Sequence, residues 1–435
     1  MDIIYQRPLR IAIVTTRNLS ERNGRTPILS HIVRALEARH ETELLHLPAL
    51  VESPSLRDVA GALLVWITSV FRARPLPLQC VLYASPRQCR AAIARIAAQQ
   101  CDAVYLDTVR CQHLLRMLRR ALPGLYIVTD FDDLMSRRAR YLFQNRLPFP
   151  AGHVGRHVPH WLRILCEKLL ATPIAGYEAL TLPAAEDEVI EASDATILIS
   201  GADRDKLGMR RPVETVHAIP PAVAAERPPL KDVVPSRFIF IGSDNFVHNR
   251  AAIDFLLESW RKFQPSFSLH IYGRQSRTKP VVAGVHWHGF VEDLAEVYQP
   301  GSIALVPAMD RGGIKTKVLE AWAWGCPVLC NTAALEGLAI EDYPFVLPEA
   351  EWPAVLTAPH DREWTSAARG GYEFVRDHCS AEDFERAWQE IVHAAARKSV
   401  ADTAELAQIG FHIPGKTNAA PGALSSWFAK VRVEG

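Results

Sequence analysis

Short β-branched runs alternate with stretches of helical periodicity along most of this chain, and that alternation limits its fold more than any other feature. A strand that feeds a helix and then a further strand builds a βαβ unit, whose strands lie parallel in a sheet covered on both faces. Strands are expected at 10–15, 103–106, 125–129 and 195–199, then in a second series that starts at Arg237 and continues at 269–272, 303–306 and 328–329. Residues 218–235 (AIPPAVAAERPPLKDVVP) hold five prolines between the two series and read as a linker. A length of 435 residues exceeds what one core ordinarily fills, so two domains are expected. The first spans 1–217, the linker 218–235 and the second 236–380. Residues 381–435 form a C-terminal helix, over 381–396, and a tail with one more short helix near Trp427; this region is expected to pack back on the first domain.

Composition narrows the function classes. Lys plus Arg (49) nearly cancels Asp plus Glu (48), so global charge selects no nucleic acid, and no helix-turn-helix, zinc-finger or RNA-binding motif is present. The eight cysteines form no C-x-x-C pair and read as reduced, mostly buried thiols of a cytoplasmic protein. The start, MDIIYQRPLRIAIVTT, lacks the apolar core of a secretory signal. The longest apolar stretch, 59–71, falls short of the roughly 20 residues that span a bilayer. It reads either as a buried helix or as an interfacial helix followed by Arg72 and Arg74.

The segment 310–329, DRGGIKTKVLEAWAWGCPVL, carries the chemistry of the second domain. Two glycines let the backbone turn tightly after an expected strand, and a helix is expected to start near Ile314 with unpaired backbone N–H groups at its end. With Lys315 and Lys317 in the first turn, such a helix start suits a diphosphate. Glu320, one turn further on, has the position to accept the hydroxyls of a ribose. The plain alternative makes the two lysines solvated charges and Glu320 their ion-pair partner.

The block GIKTKVLEAWAWGCPVL resembles the donor-site signature of the group one glycosyltransferases, also called family four. FIGSDNFVHNRAAIDFL (240–256), HIYGR (270–274), VHWHGFVEDLAEVY (285–298) and SIALVP (302–307) resemble that family's domain in the same order. The resemblance covers about residues 236–340. It implies an α/β fold of the GT-B type, two facing Rossmann-like domains with parallel sheets, and a nucleoside-diphosphate sugar, UDP-linked, as donor. It also implies that Glu320 holds the ribose, that Lys317 and Arg274 meet the diphosphate, and that the loop at Gly242 and Ser243 approaches the phosphates beside Gly313, Ile314 and Lys315. The family's paired acids stand eight positions apart, but Gly312 stands eight before Glu320 here. Ser243 and His248 occupy the region where the family often carries Arg and Lys. Both departures put retention of configuration in doubt and admit an inverting reaction through a base in the first domain.

That base is sought in LYIVTDFDDL (125–134), at the C-terminal end of an expected strand, where open α/β sheets bind their ligands. Asp130 and Asp132 share an orientation along an extended strand and are preferred over Asp133 as the catalytic group. An Asx turn or helix cap is the alternative for each. Asp130-Phe131-Asp132 also spells the D-x-D of metal-dependent transferases, but the nucleotide signature lies in the other half of the chain. From 134 to 166 there is no acidic residue, while Arg137, Arg138, Arg140, Arg146, Arg156 and Arg163 alternate with Tyr141, Phe143, Phe149 and Trp161. This segment reads as a surface for a membrane or a lipid-diphosphate acceptor, or as a loop whose arginines pair with acids elsewhere. The loop 16–27 is expected to line the cleft between the domains. His286 and His288 have H-x-H spacing without a third metal ligand nearby.

The combined reading is transfer of a sugar from a nucleoside diphosphate to a saccharide acceptor, lipid-linked, at the cytoplasmic face of the inner membrane, with no metal and no cofactor. Two alternatives stay open: a nucleotide-sugar epimerase on the same fold, and a degenerate transferase that serves as a nucleotide-sugar-binding scaffold.

Overall fold

A computed structural model describes residues 7–17, 25–52, 55–146, 169–340 and 342–408. Arg156, Arg163, Phe149, Trp161 and Cys166, the tip of the 16–27 loop and the helix expected near Trp427 lie outside the described residues.

Two parallel sheets organise the chain. The first runs β2-β1-β3-β4-β5-β6, with β1 Arg10–Thr15, β2 Glu41–His46, β3 Ala103–Asp107, β4 Tyr126–Asp132, β5 Ala195–Leu198 and β6 Val216–Ala218. The second runs β11-β10-β7-β8-β9, with β7 Arg237–Ile241, β8 Leu269–Tyr272, β9 Val285–Gly289, β10 Ser302–Val306 and β11 Val328–Cys330. β3, β10 and β11 are buried along their whole length, as expected of strands covered on both faces. In each sheet the chain steps outward, returns to the middle and leaves the other way. This reversal opens a crevice above β1 and β3 in the first sheet and above β7 and β10 in the second.

Indole rings fill the second core, where Trp260, Trp322, Trp352 and Trp364 are buried. Each large apolar side chain so removed from water contributes on the order of 1.5–3 kcal/mol. Gly325 ends the Thr316–Ala323 helix at a φ of 62°, and the linker passes so closely that a Cβ there would stand 2.7 Å from Pro229. Arg227 of the linker lies over the Trp324 ring at 5.3 Å.

The C-terminal helix Ala381–Gln408 crosses back to the first domain. Phe384, Trp388, Ile391 and Val392 pack among Ile11, Ile13, Leu29 and Tyr105, and Gln389 donates a 2.6 Å hydrogen bond to the carbonyl of Ala35. Seven described cysteines are free thiols, six of them buried.

The apolar stretch adopts an unusual position. Helix Leu56–Phe71 buries Asp58, Ala62 and Ser69 and leaves Leu56, Leu63, Leu64, Ile67, Val70 and Phe71 exposed. Asp58 and Ser69 turn inward because they have partners there: Asp58 accepts from Ser85 and Arg87, and Ser69 accepts from the backbone N–H of Leu76. Of the two readings of this stretch, burial is overturned. Among the described residues no helix is long and apolar enough to cross a membrane.

Candidate active site

Where the C-terminal ends of the two sheets face each other, a cavity of about 220 Å³ opens between the domains. Its second-domain wall is the loop after β10. Gly312 and Gly313 take φ values of 100° and 62°, which lets the chain reverse before the Thr316–Ala323 helix begins. The helix therefore starts two residues later than expected, with Lys315 at its N-cap position.

The two lysines do not pair with Glu320. Lys315 Nζ stands 3.2 Å from Asp310 and donates to the Gly312 carbonyl at 2.9 Å. Lys317 Nζ donates to Asn249 Oδ1 at 2.9 Å and lies over the Phe240 ring at 4.7 Å. Burial lowers Lys317 to about 8, against a smaller upward pull from Asp310 and Glu320. Glu320 is raised by burial, with Lys317 opposing, and its carboxylate takes part in no ion pair among the described residues.

Asn249 ties this wall to the loop after β7, since its Nδ2 donates to the Ser243 carbonyl at 3.0 Å. Ser243 Oγ in turn donates to the Arg274 carbonyl at 2.9 Å, and Gly273 must lack a side chain because a Cβ would meet the Gly242 carbonyl oxygen at 2.6 Å. Gly242, Ser243, Arg274, Gly313, Ile314, Lys315 and Lys317 thus gather at one end of one sheet, while Glu320 lies further along the Thr316–Ala323 helix and does not line the cavity. Ile314, Lys315 and Lys317 line the cavity; Arg274 is exposed beside it, its guanidinium 5.0 Å from the Phe290 ring centre. Asn249 was not foreseen, because nothing local in the sequence distinguishes a buried helical asparagine that holds a lysine.

The first-domain wall centres on a buried arginine. Arg25 donates to Asp130 and Asp132, the latter at 2.8 Å, and stands 3.7 Å from Asp107. Burial opposes its charge, yet the carboxylates raise Arg25 well above its ordinary value. Asp130 is sealed behind it, 1% exposed, and also accepts from Tyr105 Oη at 2.9 Å and from the Asp132 N–H at 2.9 Å. Burial raises Asp130 in spite of Arg25. Asp132 sits at a strand irregularity with a φ of 67°, which turns its half-buried carboxylate into the cavity. Asp133 also reaches the cavity, but Arg138 holds it. The chain does not stay extended at this irregularity, yet both carboxylates meet at Arg25, Asp130 sealed behind it and Asp132 toward the cavity.

The four described arginines of the basic segment divide. Arg138 pairs with Asp133 in the cavity, and Arg137 bridges Asp203 of the first domain to Glu336 of the second, the latter at 2.8 Å. Asp203 Oδ2 accepts the Gly313 N–H at 2.8 Å, Glu336 accepts the Gly312 N–H at 3.3 Å and pairs with Lys206, and Tyr141 donates to the Met309 carbonyl. The Gly313 N–H is therefore held by a carboxylate of the first domain, and the Gly312 N–H by one of its own domain. Only Arg140 and Arg146 are exposed. At the other edge of the second sheet, His288 stacks on Tyr272 and hydrogen-bonds His270 at 2.8 Å; among the described residues no histidine, cysteine or carboxylate group is arranged to hold a metal.

Comparison with known proteins now fits this geometry. Residues 235–358 match the family model of the Glycosyl transferases group 1. No curated protein matches the chain. Anabaena HepE, solved in complex with UDP and glucose, superposes with a TM-score of 0.58 at 10% identity, over 89% of this chain and 100% of that one. Sucrose-phosphate synthase from Thermosynechococcus elongatus gives 0.58 at 14%, over 89% and 98%, and the trehalose-6-phosphate synthase OtsA 0.55 at 11%, over 89% and 99%. Fold and crevice define the class: this is a GT-B glycosyltransferase architecture.

Proposed function

We propose that the protein transfers a sugar from a nucleoside diphosphate, UDP, to a saccharide acceptor bound against the first domain. The observation that carries this reading is Lys317, a half-buried ammonium at a glycine-started helix, facing Asp132 across one cavity. A cation kept from water stabilises the charge of a leaving diphosphate far better than a solvated one. Lys315 and Arg274 add to that charge, Glu320 has a carboxylate free for the ribose hydroxyls, and no metal is needed for the leaving group. Asp132 takes the proton of the acceptor hydroxyl, with one oxygen fixed by Arg25 and the cavity before it. Asp130 positions Asp132 through Arg25 and the Asp132 N–H. A base on the wall opposite the nucleotide fits a single displacement with inversion.

HepE, with its UDP and UDP-glucose complexes, supports UDP as the nucleotide. The acceptor is read as lipid-linked, and the work as done at the cytoplasmic membrane surface in polysaccharide or glycoconjugate synthesis. Calorimetry with UDP and UDP-glucose tests the donor site: Lys317→Ala is expected to weaken binding about ten- to a hundredfold. Equal affinity of the variant and the native chain refutes the site. Product analysis with and without acceptor separates transfer from epimerisation, which releases UDP and free sugar with no acceptor present.

A further inference from the structure

We infer that helix Leu56–Phe71 is a bilayer-docking element, embedding its outer face among the acyl chains of an anionic membrane. At 3.6 residues per turn, the outward positions Leu56, Val59, Ala60, Leu63, Leu64, Ile67, Val70 and Phe71 fall on one arc of about 140°. No polar residue interrupts that arc, and six of its members are at least 45% exposed, Leu56 and Phe71 to 91% and 85%. A helix on a soluble domain normally turns such a stripe inward. Here the inward face is pinned by Asp58 with Ser85 and Arg87, by Ser69, and by Trp66, whose Nε1 donates to Tyr177 Oη at 2.8 Å. The orientation is therefore built in by specific partners. On the helix that carries Tyr177, Leu180 is a further 81% exposed.

The occupant follows from shape and charge. A convex ridge whose apolar arc holds no donor or acceptor offers a protein partner no pocket to fill. It does match a fluid apolar phase, which needs no register. The helix is about 24 Å long, too short to cross a bilayer once its caps are counted, so it lies in the interfacial plane. Exposed Arg57 stands at one end and exposed Arg72 and Arg74 at the other, where anionic headgroups would meet the rim of the embedded ridge. The exposed Arg140 and Arg146 lie outside this helix and are not needed for this docking.

The inference does not rest on the transferase reading, because vesicle binding is measured without donor or acceptor. Flotation of the full chain with phosphatidylcholine–phosphatidylglycerol vesicles tests it, beside phosphatidylcholine alone. The native chain is expected to partition onto the anionic vesicles. The triple variant Leu63→Gln, Leu64→Gln, Ile67→Gln, all at exposed positions, should lose at least tenfold in partitioning with its melting temperature unchanged. Arg72→Glu with Arg74→Glu should remove the preference for anionic over neutral vesicles. Equal partitioning of the triple variant, no binding by the native chain, or a native dimer in light scattering that the triple variant converts to monomer would each overturn the proposal.

Discussion

On the second-domain wall of the cleft, the glycine turn, Lys315, Lys317 and Glu320 all fall within residues 310–320. The groups facing them from the first domain come from far apart, Arg25 reaching Asp130 across 105 positions and Asp132 across 107. A helix start concentrates its chemistry in a few consecutive residues, because backbone N–H groups, dipole and first-turn side chains share one place. A cluster of like charges needs a counterion from elsewhere in the fold, and the long reach is how it obtains one. The first wall should therefore fail through stability and turnover, and the second through affinity.

The largest effect that contrast predicts is at Arg25. Arg25→Ala leaves Asp107, Asp130 and Asp132 without their shared cation, and chemical denaturation should show a loss of about 3–5 kcal/mol, the usual cost of stripping one partner from a buried charged group. A loss under 1 kcal/mol would mean that the carboxylates have other support. Next is Asp132→Asn, expected to lower kcat at least a hundredfold while UDP affinity stays unchanged, with Asp130→Asn affecting stability more than chemistry. If both variants turn over at the native rate, the base is elsewhere.

The smallest effect concerns pH. Free Lys317 loses its proton near 8 because burial disfavours the ammonium, and a bound diphosphate favours that ammonium, so its value in the complex is higher. UDP affinity should thus be flat below pH 8 and fall by at most tenfold per pH unit above it, with the slope gone in Lys317→Met. A native profile without that fall would show that the lysine does not meet the phosphates.

Much of the architecture was legible in the pattern of short runs, since β3, β10 and β11 are buried throughout and β4 and β7 carry apolar stretches at 126–128 and 238–241. β2 escaped because Glu41–His46, ETELLH, is an edge strand in which Glu41, Thr42 and Glu43 break up the apolar run, and β6 because three residues make no pattern. At the site, the glycine turn and lysines were legible because they are contiguous. Arg25, Asp203 and Glu336 were not, since each acquires its role only when distant segments meet. The basic segment misled for the same reason: Arg137 and Arg138 look like free surface charge until Asp203, Glu336 and Asp133 are placed beside them.

The returning helix Ala381–Gln408 has a consequence for how the protein is made. Trp388 lies 5.7 Å from Tyr105, whose hydroxyl holds Asp130, so the last helix finishes the wall behind the first domain's carboxylates. That wall does not exist while the ribosome is still translating the second half, and the first sheet waits incomplete for the whole of that interval. The two halves are separate in shape but joined in assembly, and a gene divided at the proline-rich connection would leave the amino-terminal piece lacking its final layer.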